Sequence, residues 1–229
     1  MRRRLLWQGA AALALGGLHA GAAQAQVSPA DFFAAVVRDH YSDVMTQLLR
    51  GINANMLDER GRTALTLAIR QESWRVVDTL LHAPGLDVNL PNRQGETPLM
   101  LAAIKGNMPL VKTLVARDAD INREGWTPLH YAASANLPQS VEIAAYLLDK
   151  SAYIDADSGN GTTPLMMAAQ YSSEAMVRLL INEGADVSLR NRQGLTAVDF
   201  ARKSEREFMV ELLSKAVRAS RPAASRGKW

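Results

Sequence analysis

One short pattern recurs five times along this chain. It appears as Gly61-Arg62-Thr63-Ala64-Leu65, Gly95-Glu96-Thr97-Pro98-Leu99, Gly125-Trp126-Thr127-Pro128-Leu129, Gly161-Thr162-Thr163-Pro164-Leu165 and Gly194-Leu195-Thr196-Ala197-Val198. The glycines are spaced 34, 30, 36 and 33 residues apart. A repeat of this length restricts the fold strongly, because a unit so small cannot bury its apolar face alone and must stack on its neighbours.

The residues around each pattern predict what the unit is. Thr before Pro or Ala opens a helix, since its hydroxyl accepts from an orphan N–H and Pro is tolerated at the first helical position. A short Ala-rich helix follows, as in Ala102-Ala103, Ala132-Ala133 and Ala168-Ala169. A second helix then carries paired apolar residues: Leu80-Leu81, Leu114-Val115, Leu147-Leu148, Leu180-Ile181 and Leu212-Leu213. Turns such as Asp118-Ala119-Asp120-Ile121-Asn122 and Gly184-Ala185-Asp186-Val187 close the unit. The expectation is an all-α helical repeat solenoid of stacked helix-turn-helix units, with polar outer faces on the end units. In the last unit Lys203, Glu205, Arg206, Glu207 and Glu211 read as that polar face.

From about Pro29 to Ala216 the chain resembles ankyrin-repeat proteins, most fully over Gly125-Trp126-Thr127-Pro128-Leu129-His130-Tyr131-Ala132-Ala133. The resemblance implies an ankyrin-repeat stack whose helix-turn-helix units are joined by β-hairpin-like fingers, in about six repeats: 29–57, 58–91, 92–122, 123–157, 158–190 and 191–216. The first is degenerate and ends in Leu48-Leu49-Arg50-Gly51. It also implies that His130 hydrogen-bonds across the repeat rather than holding a ligand.

Irregular spacing marks particular places. An extra residue lies near Ala83-Pro84-Gly85, and residues are added in Asn136-Leu137-Pro138-Gln139-Ser140. The finger from Asn122 to Gly125 is clipped relative to that from Asn89 to Gly95. Clipped finger and enlarged loop bracket one repeat, and insertions in solenoids map to surface loops, often functional ones. The aromatics Trp126, Tyr131 and Tyr171 are expected to line the resulting notch. Only Gly106 keeps the glycine that suits a left-handed helix end; Glu72, Asn136, Ser172 and Glu205 fall at or near the corresponding places, where a non-Gly residue costs about 1 kcal/mol, less for Asn.

Composition narrows the class. Of 229 residues, 48% are apolar and 21% charged, as in a chain that buries a core rather than a disordered one. No apolar run is long enough to span a bilayer. The chain has no Cys, which excludes disulfides, thiolate metal sites, a Cys nucleophile and a lipid-modified Cys. The net charge of +3 is misleading. Arg2, Arg3 and Arg4 precede every acid, and Lys215, Arg218, Arg221, Arg226 and Lys228 follow every acid, so the body between is mildly acidic. Nucleic-acid binding through a basic surface is therefore not expected.

Residues 1–25, MRRRLLWQGAAALALGGLHAGAAQA, have the tripartite build of a cleavable export signal, with cleavage expected between Ala25 and Gln26. Arg2-Arg3 before Leu5-Leu6 matches a twin-arginine signal only in part, so general secretion is favoured. The expected location is the periplasm, with secretion the alternative. Residues 217–229 are Arg/Ser/Ala-rich and are expected to form a disordered basic tail ending in Trp229.

Catalytic, cofactor and metal motifs are not found in the sequence. His40, His82 and His130 fall in different repeats, and there is no nucleophile elbow, Walker loop or zinc helix. Ser158-Gly159-Asn160-Gly161-Thr162-Thr163 sits at a finger and reads as turn chemistry, not a phosphate cradle. Asp155 and Asp157 read as solvated finger acids. The expected function is a non-enzymatic periplasmic scaffold that binds another protein through its concave groove and finger tips. The alternative is an immunity or inhibitor protein that neutralises an enzyme acting there. The expected partner-binding residues are Arg70, Gln71, Arg93, Lys105, Trp126, Tyr131, Asn136, Leu137, Gln170, Tyr171, Arg190 and Arg192, a set rich in the Trp, Tyr and Arg that dominate interface energies. Arg60 and Gln94 share that surface. A monomer is favoured.

Overall fold

The computed structural model describes residues 28–220, so the expected export signal and residues 221–229 of the expected tail lie outside the described residues. Twelve helices are described, in six pairs: α1 (Pro29–Val37) with α2 (Tyr41–Leu49), α3 (Ala64–Gln71) with α4 (Trp74–Leu81), α5 (Pro98–Ile104) with α6 (Met108–Val115), α7 (Pro128–Ser134) with α8 (Ser140–Asp149), α9 (Pro164–Tyr171) with α10 (Glu174–Asn182), and α11 (Ala197–Lys203) with α12 (Glu207–Ser220). Among the described residues there are no strand ladders, only an isolated antiparallel bridge between Leu57 and Thr63. The fingers are tight turns rather than true hairpins.

The helices start where the repeated Thr stands. Thr63, Thr97, Thr163 and Thr196 each cap their helix by accepting from the N–H three residues on. Stacking then follows from side-chain size. Ala68, Ala102, Ala132, Ala133, Ala168 and Ala169 are fully buried, which lets the first helices approach closely. α5, α7, α9 and α11 pack against one another more closely than α6, α8 and α10 do. Leu80, Leu114, Leu147, Leu180 and Leu213 of the second helices are also fully buried, each contributing about 1.5–3 kcal/mol by leaving water.

Helix ends depart from expectation in two places. Glu72 (φ 59°) and Glu205 (φ 56°) do take the left-handed conformation beside Gly106 (φ 67°). Ala135 and Ser172 end α7 and α9 in extended backbone, so neither Asn136 nor Ser172 occupies a left-handed position. Side chains bond to carbonyls at these two ends. Ser172 Oγ donates to Ala135 O at 2.7 Å, and Arg206 donates to Ala168 O, Ala169 O (3.0 Å) and Ser172 O. Arg206 is thus a cap for α9, not part of a solvated face.

Both ends of the stack also differ from the sequence reading. α12 runs to Ser220, past the boundary at 216, because Val217 still finds core to pack against. At the other end Leu49 is 81% exposed beside exposed Met45 and Tyr41, so the outer face of the first unit is not polar.

Candidate functional site

The fingers line one edge of the stack. Four are closed by a main-chain bond: Asp58 N to Arg62 O, Asn92 N to Glu96 O, Ser158 N to Thr162 O and Asn191 N to Leu195 O, at 2.9–3.0 Å. In each, a side chain at the turn's start accepts from the N–H groups ahead. Asn92 Oδ1 takes those of Gln94 and Glu96 at 3.0 Å, and Asn191 Oδ1 takes those of Gln193 and Leu195 at 3.0 Å. This is the local bonding that makes Asx residues turn formers.

The clipped finger has no residue left for that task. Counting back from Gly125, Asn122 stands in the turn position, but its side chain is committed elsewhere. It donates to Ser151 O and accepts from Tyr153 N, both at 2.8 Å. Asn55 does the same with Gly85 O and Asp87 N, and Asn89 with Asp118 O and Asp120 N. Asn122 therefore belongs to a ladder of asparagines between repeats.

The shortening opens the row of fingers. Arg93 N donates to Gly61 O at 2.7 Å and Arg192 N to Asn160 O at 2.9 Å, joining the first finger to the second and the fourth to the fifth. A Cβ on Gly61 would fall 2.8 Å from Arg93 Cβ, and one on Gly161 3.3 Å from Asn191 Cα. On Gly95 or Gly125 it would meet nothing within 4 Å. Among the described residues no main-chain bond joins the third finger's tip to either neighbour. Arg123 Nη1 instead donates to Gly95 O at 3.2 Å. On the far side lies a cleft of about 590 Å³ lined by Asn122 to Gly125, Tyr153, Asp157, Ser158, Gly159 and Arg192.

A second, smaller hollow of about 230 Å³ lies between α5, α7 and α9, walled by Ile104, Trp126, His130, Tyr131, Ser134 and Met167. Trp126 is 40% exposed there and meets His130 edge-on, with ring centroids 5.1 Å apart. Burial first, against the pull of the Thr162 carbonyl and of Asp157, holds the His130 pKa down at about 4. His130 therefore stands neutral in the stack, bonded to Thr162 O at 2.8 Å as the motif implied.

Beside the hollow a polar network centres on Glu96. It accepts from Arg70, from Asn92 Nδ2 at 2.7 Å and from Tyr131 Oη at 3.2 Å. Burial works against its ionisation, but these three donors and the Arg70 charge outweigh it and hold the carboxyl below its usual range. Burial and the Glu96 charge push the Tyr131 hydroxyl up, well above the ordinary phenol.

The residues expected from the sequence fall into separate groups. Arg70 and Tyr131 meet through Glu96, and Tyr131 joins Trp126 in the hollow. Lys105 Nζ pairs with Glu72 at 2.7 Å. Gln170 is half-buried and Tyr171 exposed at the end of α9, and neither lines the hollow or the cleft. Gln71 faces a cavity near Phe33 and Leu57 at the first repeat. Asn136 and Leu137 lie past the far end of α7, where Leu137 packs toward Gly106. Arg93 is exposed, Arg190 Nη1 donates to Gly194 O at 2.7 Å, and Arg192 lines the cleft. The single notch walled by Trp126, Tyr131 and Tyr171 is thus corrected to two separate cavities, the cleft between the third and fourth fingers and the hollow between α5, α7 and α9. The aromatic at the cleft is Tyr153, 69% exposed. The sequence reading missed Tyr153, Ile104, Met167 and Glu96.

A family model describing ankyrin repeats matches three times, over residues 32–122, 72–158 and 152–221. An ankyrin repeat and SAM domain-containing protein 6 of Rattus norvegicus is 32% identical over 142 residues, 62% of this chain but only 12% of that protein. The Escherichia coli ankyrin repeat protein YahD is 27% identical over 194 residues, covering 81% of this chain and 94% of its own length. Among solved structures, a predatory endopeptidase from Bdellovibrio bacteriovorus in complex with an immunity protein contains a chain that superposes with a TM-score of 0.68 at 28% identity. That match covers 80% of this chain and 96% of that one. An ankyrin repeat domain from Acinetobacter baumannii, at 24% identity and a TM-score of 0.65, shares the fold.

Proposed function

Since this chain belongs to the ankyrin-repeat family, we propose that it is a non-catalytic protein of the periplasm that binds one protein partner through its fingers and first-helix face. The observation that carries this reading is the hollow around Trp126. A large aromatic, just ahead of α7, stays 40% exposed over a 230 Å³ apolar recess, while Leu129, Ala132 and Ala133 of the helix that follows it are fully buried. Rigid aromatic walls lose little entropy on association, so such a recess suits a partner's apolar anchor. The test is capture from periplasmic extract with wild type and Trp126→Ala side by side. A partner held by the wild type and lost by the variant supports the reading. Turnover of a substrate by the purified protein would overturn it.

A second reading, neutralisation of an envelope enzyme, draws on a specific likeness: one chain in the complex of an endopeptidase with an immunity protein resembles this one over nearly its whole length. Co-expression with a periplasmic peptidase encoded nearby should then relieve that enzyme's toxicity.

A further inference from the structure

We propose that the cleft beside the clipped third finger receives a protruding turn of the partner, bearing a carboxylate, which takes the place of the missing finger tip. The proposal rests on the protein-binding reading above and names the element that is bound. Three independent observations lead to it.

The first is register. Fingers at both ends of the row are joined by main-chain bonds, Arg93 N to Gly61 O and Arg192 N to Asn160 O. A counterpart between the third and fourth fingers would join Gly125 to Gly159, and none is present among the described residues. The row therefore lacks main-chain bonds on both sides of the third finger: toward the second finger the Arg123 side chain bridges to Gly95 O, and toward the fourth nothing bridges among the described residues, which leaves main-chain groups facing the cleft. Such groups recognise another main chain, as a sheet edge recognises an added strand.

The second is space. A Cβ on Gly61 would strike the adjacent finger and one on Gly161 would press tightly on it, whereas one on Gly125 meets nothing within 4 Å, and the 590 Å³ beyond it accommodates several residues of a turn. The deletion itself gives the size of what is missing. The preceding finger reads Asn89-Leu90-Pro91-Asn92-Arg93-Gln94-Gly95 and the clipped one Asn122-Arg123-Glu124-Gly125, so the segment matching Leu90-Pro91-Asn92 is absent.

The third is charge. Arg62 has Asp58 and Arg70 has Glu96, but Arg60, Arg93, Arg123, Arg190 and Arg192 have no carboxylate within 4.0 Å among the described residues. Arg123 and Arg190 spend one N–H each on the carbonyls of Gly95 and Gly194. Arginines set along one edge and left without anions fit a partner that supplies them. Arg123 and Arg192 both line the cleft, with Glu124 and Asp157 on the same walls; Arg123 already donates to Gly95 O, whereas the Arg192 guanidinium has no partner among the described residues and is placed to meet a carboxylate beside an inserted turn, with exposed Tyr153 offering it a flat aromatic side.

The test uses the full chain and a displayed library of short disulfide-closed loops as the probe. Enriched loops should carry Asp or Glu next to an Asn or Gly turn and shift the amide resonances of Gly125 and Gly159. Inserting Leu-Pro-Asn between Asn122 and Arg123 rebuilds the finger. It should raise the melting temperature and weaken the loops at least about tenfold, or 1.4 kcal/mol. Arg192→Glu and Tyr153→Ala, both at exposed positions, should weaken them without lowering the melting temperature, and they decide the matter if the insertion variant does not fold. Loops that bind the insertion and Arg192→Glu proteins as tightly as wild type, or enrichment of no loop at all, would overturn the proposal. A partner captured from extract that depends on Trp126 but is indifferent to the insertion would overturn it while leaving the protein-binding reading standing.

Discussion

His130 Nε2 lies 2.8 Å from the carbonyl oxygen of Thr162 in the next repeat, while Nδ1 faces Thr127 Oγ1 at 2.9 Å and Thr127 N at 3.2 Å. A carbonyl only accepts, so Nε2 carries the proton and Nδ1 accepts from the Thr127 N–H. Protonation would set a second N–H against that donor, inside a fully buried site. The fold thus holds the ring neutral, with its pKa lowered to about 4.

The consequence is acid sensitivity. A group whose neutral form is favoured by folding contributes fully above its unfolded pKa of about 6.5 and loses that contribution as pH falls toward 4. The loss is roughly 2–3 kcal/mol near pH 4.5, from 1.36 kcal/mol per pKa unit. Urea unfolding at pH 7.5 and 4.5 should show a stability gap in wild type that shrinks by this amount in His130→Gln. Equal gaps in the two proteins would contradict the assignment.

Asp155 stands where the ladder between repeats otherwise has asparagine. Asn55, Asn89 and Asn122 each donate to a carbonyl and accept from an N–H in the next repeat. Asp155 accepts from Asp186 N at 3.1 Å, but an ionised carboxylate has no proton to donate. Burial, reinforced by the charge of Asp186 and opposed by that N–H, raises its pKa. A raised carboxyl pKa means stability present at low pH and lost as pH rises through it. Asp155→Asn should therefore stabilise by about 1 kcal/mol, one net hydrogen bond, with more gain at pH 7 than in acid. Thermal melts at the two pH values check it.

The fold was legible in the sequence because its determinants are local and repeated. Thr63, Thr97, Thr163 and Thr196 announce helix starts by chemistry that needs no tertiary context. What escaped was relational. The position after each finger glycine holds Arg62, Glu96, Trp126, Thr162 and Leu195 in turn, so no pattern singles out Glu96 before Arg70 and Tyr131 are seen converging on it. The clip at Asn122 was visible as a spacing, yet placing Trp126 and Tyr171 in its notch required knowing which side of the finger each faces. Arg206, among Lys203, Glu205 and Glu207, looks like any residue of a charged surface. Its role depends on α9 ending without a left-handed residue.

That role can be tested directly. Arg206→Met keeps the apolar stem but leaves the carbonyls of Ala168, Ala169 and Ser172 without their charged donor. Hydrogen bonds to charged groups contribute about 1.5–3 kcal/mol, so a loss in that range is expected. Lys203→Met, at an exposed neighbouring site, should stay within about 0.5 kcal/mol of wild type. Comparable losses in the two variants would mean that the contacts at Arg206 contribute little beyond its surface chemistry.

Glu96 offers a prediction with a spectroscopic readout. Its carboxylate is the common acceptor for Arg70, Asn92 and Tyr131, and its charge is one of the causes that raise the Tyr131 hydroxyl, after burial. Glu96→Gln removes that charge while keeping the side chain's shape, and its amide nitrogen presents a donor where one of three donors used to find an acceptor. Unfolding should become easier by about 1–3 kcal/mol, the range for an unsatisfied group in a partly buried network. In an alkaline titration followed by ultraviolet absorbance, one tyrosine should then ionise at lower pH than in wild type, because the repulsion from Glu96 is gone while the burial remains. Tyr131→Phe, which cannot ionise there, identifies the tyrosine concerned: the step that moves in Glu96→Gln must be missing in Glu96→Gln/Tyr131→Phe. If the titration of Glu96→Gln overlays that of wild type, the Glu96 carboxylate does not govern Tyr131, and the network beside the hollow is held together by Arg70 and Asn92 alone.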